Sequence, residues 1–69
     1  MPHHIYKHIH LTGSSTTSSD DAVRAALARA AKTVRGMRWF EVIETRGHIE
    51  DGEAAHWQVN IKVGFTLEE

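Results

Sequence analysis

Apolar residues change their spacing along this 69-residue chain, and each change marks a structural element. Ile5, Ile9 and Leu11 alternate with Tyr6, His8 and His10, with Lys7 the odd member of the apolar set. This period of two predicts a first strand over residues 4–12. Gly13-Ser14-Ser15-Thr16-Thr17-Ser18-Ser19 follows, a polar connection with neither helix nor strand signal. It ends in a helix start. Ser18 is the N-cap, with Asp21 three residues on in an acidic variant of the capping box, and Asp20 and Asp21 suit the positive end of the helix dipole. Val23, Leu27, Ala30 and Val34 then form one apolar stripe, widened by the small side chains of Ala22, Ala26 and Ala31 that let a helix lie close to a sheet. Lys32 and Arg35 favour the last turn, so the helix is expected to run to about Arg35 and stop at Gly36.

The remainder reads as a hairpin. Asp51-Gly52, a strong two-residue turn signal, separates strand-like runs at 37–50 and 53–67. With those two residues as the loop, Trp39 faces Gly64, Phe40 faces Val63, Val42 faces Ile61, and Glu41 faces Lys62 as an opposite-charge pair that supports the register. The apolar face, with Phe40, Val42, Val59, Ile61, Val63 and Phe65, is expected to pack on the helix. The mixed face carries Trp39, Glu41, Ile43, Thr45, Gln58, Asn60, Lys62 and Gly64, and a bulge near Gly47 would shift this pairing on one side. Strands of this length exceed the usual five or six residues. One helix and three strands cannot bury them, so the sheet is expected to curve and to be covered by copies of the same chain.

Size points the same way. One domain, residues 1–69, is the most this length allows, and a domain so small buries only about 60% of the surface its unfolded chain exposes. Such chains often rely on disulfides, a metal or self-association, and the sequence contains no Cys. The net charge of -1 predicts no general attraction to nucleic acid or to acidic membranes. No apolar run approaches the ~20 residues of a transmembrane helix, and the N-terminus lacks a signal-peptide core. A cytoplasmic location is the resulting expectation.

Candidate chemistry centres on Trp39. A large aromatic ring off the core face needs either a partner subunit or a flat ligand to cover it. Trp57, on the apolar face, reads as core or interface. His8 and His10 lie on one side of a strand as zinc ligands can, but no third ligand follows at a recognisable spacing, so no metal site is assigned. The Gly13–Ser19 loop precedes a helix N-terminus without the Gly-Lys-Ser/Thr word of a phosphate loop, and a plain connection is the simpler reading. Glu41 and Glu44 have opposite parity, so a flat strand would point them to opposite faces and they form no catalytic pair.

Several words in the sequence then act together: Thr12-Gly13-Ser14-Ser15, Asp21-Ala22-Val23, the run from Lys32 through Gly36 and Trp39 to Val42, Arg46-Gly47-His48-Ile49, Trp57-Gln58-Val59, and Lys62-Val63-Gly64-Phe65. Jointly, over nearly the whole length, the chain resembles the dodecins. The resemblance implies an α+β fold of order β-α-β-β, a three-stranded antiparallel sheet packed on one helix, assembled as a hollow homododecamer. It implies flavins bound in pairs between symmetry-related Trp39 side chains, in a storage or buffering protein and not an enzyme. By position, Gln58 would read the flavin ring edge and Glu44-Thr45-Arg46 would line the pocket near the ligand's side chain. Arg46 matches the bacterial branch, which makes FMN the expected ligand ahead of riboflavin or FAD.

Geometry bears on that site. On the predicted register Gln58 pairs with Thr45, six residues from Trp39. At ~3.3 Å per residue the separation is roughly 20 Å. A pocket using Trp39 and Gln58 must therefore draw them from different subunits, unless the sheet bends sharply. Two other classes compete: a flavin-dependent oxidoreductase, which would need one flavin face open to substrate, and a structural shell carrying another anionic metabolite.

Overall fold

The computed structural model describes residues 5–67. Its elements run β1 (Tyr6–Ser15), α1 (Ser19–Ala30), β2 (Met37–Glu50) and β3 (Glu53–Thr66), and the sheet order is β1-β3-β2 with both pairings antiparallel. The β-α-β-β order and single three-stranded sheet are those expected. The centre of the sheet is the last strand, because β1 pairs along β3 from Tyr6↔Thr66 to Ser15↔Trp57.

β1 runs past its predicted end, through Gly13, Ser14 and Ser15, which pair with Val59, Gln58 and Trp57; residue 4 lies outside the described residues. The expected loop is thus shortened to residues 16–18, between β1 and the helix. Gly13 belongs there because α1 crosses directly over it, and a Cβ would collide with the carbonyl oxygen of Ala22. Ser18 caps the helix as expected, its Oγ accepting from the Asp21 N–H at 3.0 Å. The Ser15 hydroxyl donates to Asp21 Oδ2 at 2.6 Å, so the first turn of the helix is occupied by its own carboxylate.

The helix stops at Ala30, short of the predicted Arg35. Beyond it the chain tightens: Lys32 N–H donates to Arg29 O at 3.2 Å and Thr33 N–H to Ala30 O at 3.1 Å, bonds of the three-residue type that end many helices. Gly36, with φ of 77°, redirects the chain into β2 and does not cap the helix; its carbonyl accepts from the Thr66 N–H at 3.1 Å.

Ala22, Val59, Ile61 and Val63 are fully buried, surrounded by Ile9, Leu11, Val23, Ala26, Leu27 and Met37. Each buried Val or Ile side chain contributes about 1.5–3 kcal/mol. The helix lies over β1 and β3. Phe40 and Val42, expected beneath it, are instead 48% and 47% exposed. The helix sits over β1 and β3 and not over β2, so Phe40 and Val42 stay open although they pair with the buried Val63 and Ile61. Its length leaves still more of the hairpin uncovered. Twelve helical residues span about 18 Å, against about 46 Å for a 14-residue strand. β2 from Arg38 to Glu50 is exposed throughout, and the molecule is drawn out to 56 × 21 × 13 Å.

The hairpin turn has the expected form. Asp51 (φ 53°) and Gly52 (φ 76°) both adopt the left-handed conformation of a type I′ loop. Replacing Gly52 with Val places a β-branched residue there, at a cost of at least about 1 kcal/mol. Thermal melting of Gly52→Val is expected below that of the parent; equal melting temperatures would show that the turn does not hold the register.

Candidate functional site

The side of the sheet away from the helix is a ladder of polar rows across all three strands. Starting at the β2 N-terminus, the rows are His8–Gly64–Trp39, His10–Lys62–Glu41, Thr12–Asn60–Glu44 and Ser14–Gln58–Arg46. Further along the hairpin, His48 pairs with His56, their rings stacked with centroids 4.4 Å apart.

This ladder depends on a register shift between Val42 and Glu44. Ile43 is the extra residue there, so the alternation inverts beyond it. The faces of Glu44, Thr45 and Arg46 change as a result. Gln58 pairs with Arg46 and not with Thr45, while Thr45 pairs with Val59 and joins the opposite face. Glu44 moves to the face of Glu41, so the two carboxylates that a flat strand would separate share one side. Each has its own partner: Lys62 Nζ lies 3.3 Å from Glu41 Oε1, and Asn60 Nδ2 donates to Glu44 Oε1 at 2.8 Å. The bulge expected near Gly47 falls close by, as a second shift between His48 and Ile49, and a third lies between Met37 and Trp39.

Glu44, Arg46, Gln58 and Asn60 thereby form one connected group. Arg46 Nε donates to Gln58 Oε1 at 2.8 Å, and its Nη1 approaches Glu44 Oε1 at 3.5 Å. Thr12 Oγ1 donates to Asn60 Oδ1 at 2.6 Å, which ties β1 into the group. Arg46 turns the carbonyl end of the Gln58 amide toward itself, leaving the amide's donor end to point elsewhere. Thr12 and Asn60 were not singled out from the sequence as site residues. Asn60 could be found by its parity with Gln58, but Thr12 could not, because nothing local reveals which strand β1 pairs with.

Trp39 occupies the other end of the ladder. Its indole lies across Gly64, where a Cβ would collide with Cε2 and Cζ2. His8, in the same row, stands at 68° to the ring with centroids 5.4 Å apart. The glycine is a floor and the imidazole a side wall, and 38% of the tryptophan surface is open to solvent. Trp39 and Gln58 stand in different rows, Gly64 and Gln58 being six positions apart on β3, or roughly 20 Å. One chain therefore brings Glu44, Arg46 and Gln58 together but leaves Trp39 remote from them. Trp57 lies half-buried on the helix-side face in the row of Gly47.

Among the described residues no group of three or more His, Asp or Glu side chains could hold a metal ion, and no helix is long and apolar enough to cross a membrane.

The Trp39 seat can be tested without any ligand. A methyl group at Gly64 takes the space of the indole, so Gly64→Ala is expected to lift the ring off the sheet and shift tryptophan emission to the red. An unchanged emission spectrum would mean that the ring does not rest on Gly64.

Comparison with known proteins places this geometry. The family model for dodecins matches residues 5–68. Dodecin from Thermus thermophilus is 48% identical over 65 residues, covering 94% of each chain. The structure of dodecin from Streptomyces coelicolor superposes with a TM-score of 0.93 at 51% identity, covering 100% of this chain and 99% of the other. Dodecin from Streptomyces davaonensis gives a TM-score of 0.90 at 45% identity over 96% and 97% of the two chains. A matching family model, a shared fold, an identity near half and coverage of essentially the whole length carry one conclusion: the chain belongs to the dodecin family.

Proposed function

We propose that the protein is a flavin-binding storage or buffering protein, working as a homododecamer and not as an enzyme. The observation that carries this reading is the seat of Trp39: an indole spread on a glycine, off the core face, with its outer surface open. A flat heterocycle is the shape that such a surface accepts, and stacking on an aromatic side chain is worth ~1–3 kcal/mol by alanine substitution, judged from nucleic-acid bases. Membership of the dodecin family supports the same ligand class.

The mechanism is sequestration. Trp39 side chains from symmetry-related subunits cover the outer faces of a flavin pair and exclude water. The distance between Trp39 and Gln58 along the sheet favours a pocket completed by a second subunit. Gln58 supplies an edge hydrogen bond, with its amide oriented by Arg46. Arg46, itself braced by Glu44, is within reach of the ligand's side chain, and a guanidinium pairs with phosphate through a forked set of donors. Thr45 lies between them with its side chain on the other face, and would line the pocket through its backbone. FMN fits this arrangement best, with riboflavin and FAD as further ligands. Closing both flavin faces leaves no approach for a second substrate, which suits storage better than turnover. The exposed Phe40, Val42, Ile43 and Ile49 give the assembly its apolar contacts. The cytoplasm is the proposed location.

Trp39→Ala tests the reading. At least a tenfold loss of FMN affinity is expected, with recovery of flavin fluorescence and no change in particle mass, about twelve chains by light scattering. Undiminished binding would refute stacking on Trp39. A particle that falls apart would make the ring an interface filler.

Arg46→Ala separates phosphate recognition from ring stacking. FMN affinity is expected to fall relative to riboflavin in parallel titrations, whereas equal losses would take Arg46 away from the phosphate.

A further inference from the structure

The row His8–Gly64–Trp39 contains a residue that neither the ligand-reading group nor the core uses. His8 is exposed on the edge strand β1, on the face away from the core, yet its ring meets the indole of Trp39 in a tilted contact at 5.4 Å and 68°. We infer that His8 is a positioning residue for Trp39: it fixes how the indole lies on Gly64 and, through its charge, makes the strength of ligand stacking depend on pH. The inference rests on the flavin reading above and goes beyond it.

Three observations support it. The floor beneath the indole is a bare glycine, which lets the ring lie close to the sheet but supplies no grip against sliding across it. β2 is an edge strand, so among the described residues His8 is the one other member of the row that Trp39 shares with Gly64. And the contact has the tilted geometry that aromatic pairs prefer, worth enough to bias one ring orientation. A ring held in one orientation binds a flat ligand with less ordering cost than a ring free to swing.

Imidazole is also the side chain that changes charge between pH 5 and 8. As a side wall it borders the indole's electropositive edge, so its cationic form pushes on the ring. Protonation of His8 therefore loosens the seat on which the ligand stacks. The titratable and charged groups around it on this face are Tyr6 and His10 on β1, Lys62 on β3, and Arg38 and Glu41 on β2; α1 lies on the opposite face. Lys62 is paired with Glu41, and Arg38 Nε donates to Thr66 Oγ1 at 3.2 Å. His10 is the other imidazole of this patch and serves as the control.

Riboflavin is the probe, because it has no phosphate to titrate. In the assembled protein, His8→Ala is expected to weaken riboflavin binding roughly two- to tenfold at pH 7.5, and His8→Phe, which keeps an aromatic edge, to restore it. Parent affinity is expected to fall roughly two- to fivefold from pH 7.5 to pH 5.5, a step absent from His8→Phe and retained in His10→Gln. Particle mass and melting temperature stay those of the parent, which a merely structural role would not allow. Parent-like binding by His8→Ala, no rescue by His8→Phe, or a pH step that survives in His8→Phe would each overturn the inference while leaving the flavin reading intact. A ligand-free readout separates the two. In a Trp57→Phe background, Trp39 emission is expected to drop on acidification and to stay level when His8→Phe is added. Should the parent take up no riboflavin, the flavin reading falls, and this emission profile alone decides whether His8 positions Trp39.

Discussion

A short helix on a long hairpin is the constraint behind the rest of this structure. Twelve helical residues cover about 18 Å, and the strands beneath run to about 46 Å. The helix settles where burial is greatest, over the junction of β1 and β3, and seals Val59, Ile61 and Val63. Everything beyond its reach, including nearly all of β2, stays open. A chain of this size has no second layer to add and no disulfide to substitute for one. The proposed assembly would supply the cover that one helix cannot.

The same constraint makes the polar face usable. Because the helix occupies one side of the sheet only, the other side presents four aligned rows across three strands, with a tryptophan at one end and an amide–guanidinium–carboxylate group along it. The bulge at Ile43 is what gathers that group. Without it, Glu44 and Arg46 would turn to the helix side and Gln58 would face Thr45. A bulge also sharpens the local twist.

The face is held mainly by short-range pairs: Glu41 with Lys62, Glu44 with Asn60 and Arg46, Arg46 with Gln58. Exposed pairs of this kind contribute little to stability. Their effect is orientation. They hold polar ends in place beside the open Trp39 surface, which stands next to the His8 imidazole.

Much was legible in the residues alone. The Asp51-Gly52 turn, the pairing of Trp39 with Gly64 and of Glu41 with Lys62, the Ser18 cap and the element order all follow from signals that act within a few residues or across a tight turn, where geometry leaves little choice. Gln58 and Arg46 could be placed near each other but not paired, since a one-residue shift reverses faces and the shift at Ile43 has no mark of its own in the sequence. Nor could local pattern say that Gly13–Ser15 would extend β1 along β3, that α1 would end at Ala30, or that Phe40 and Val42 would remain outside it. Those outcomes depend on which distant surfaces meet and on how far a helix of given length reaches, and only the packed sheet decides that.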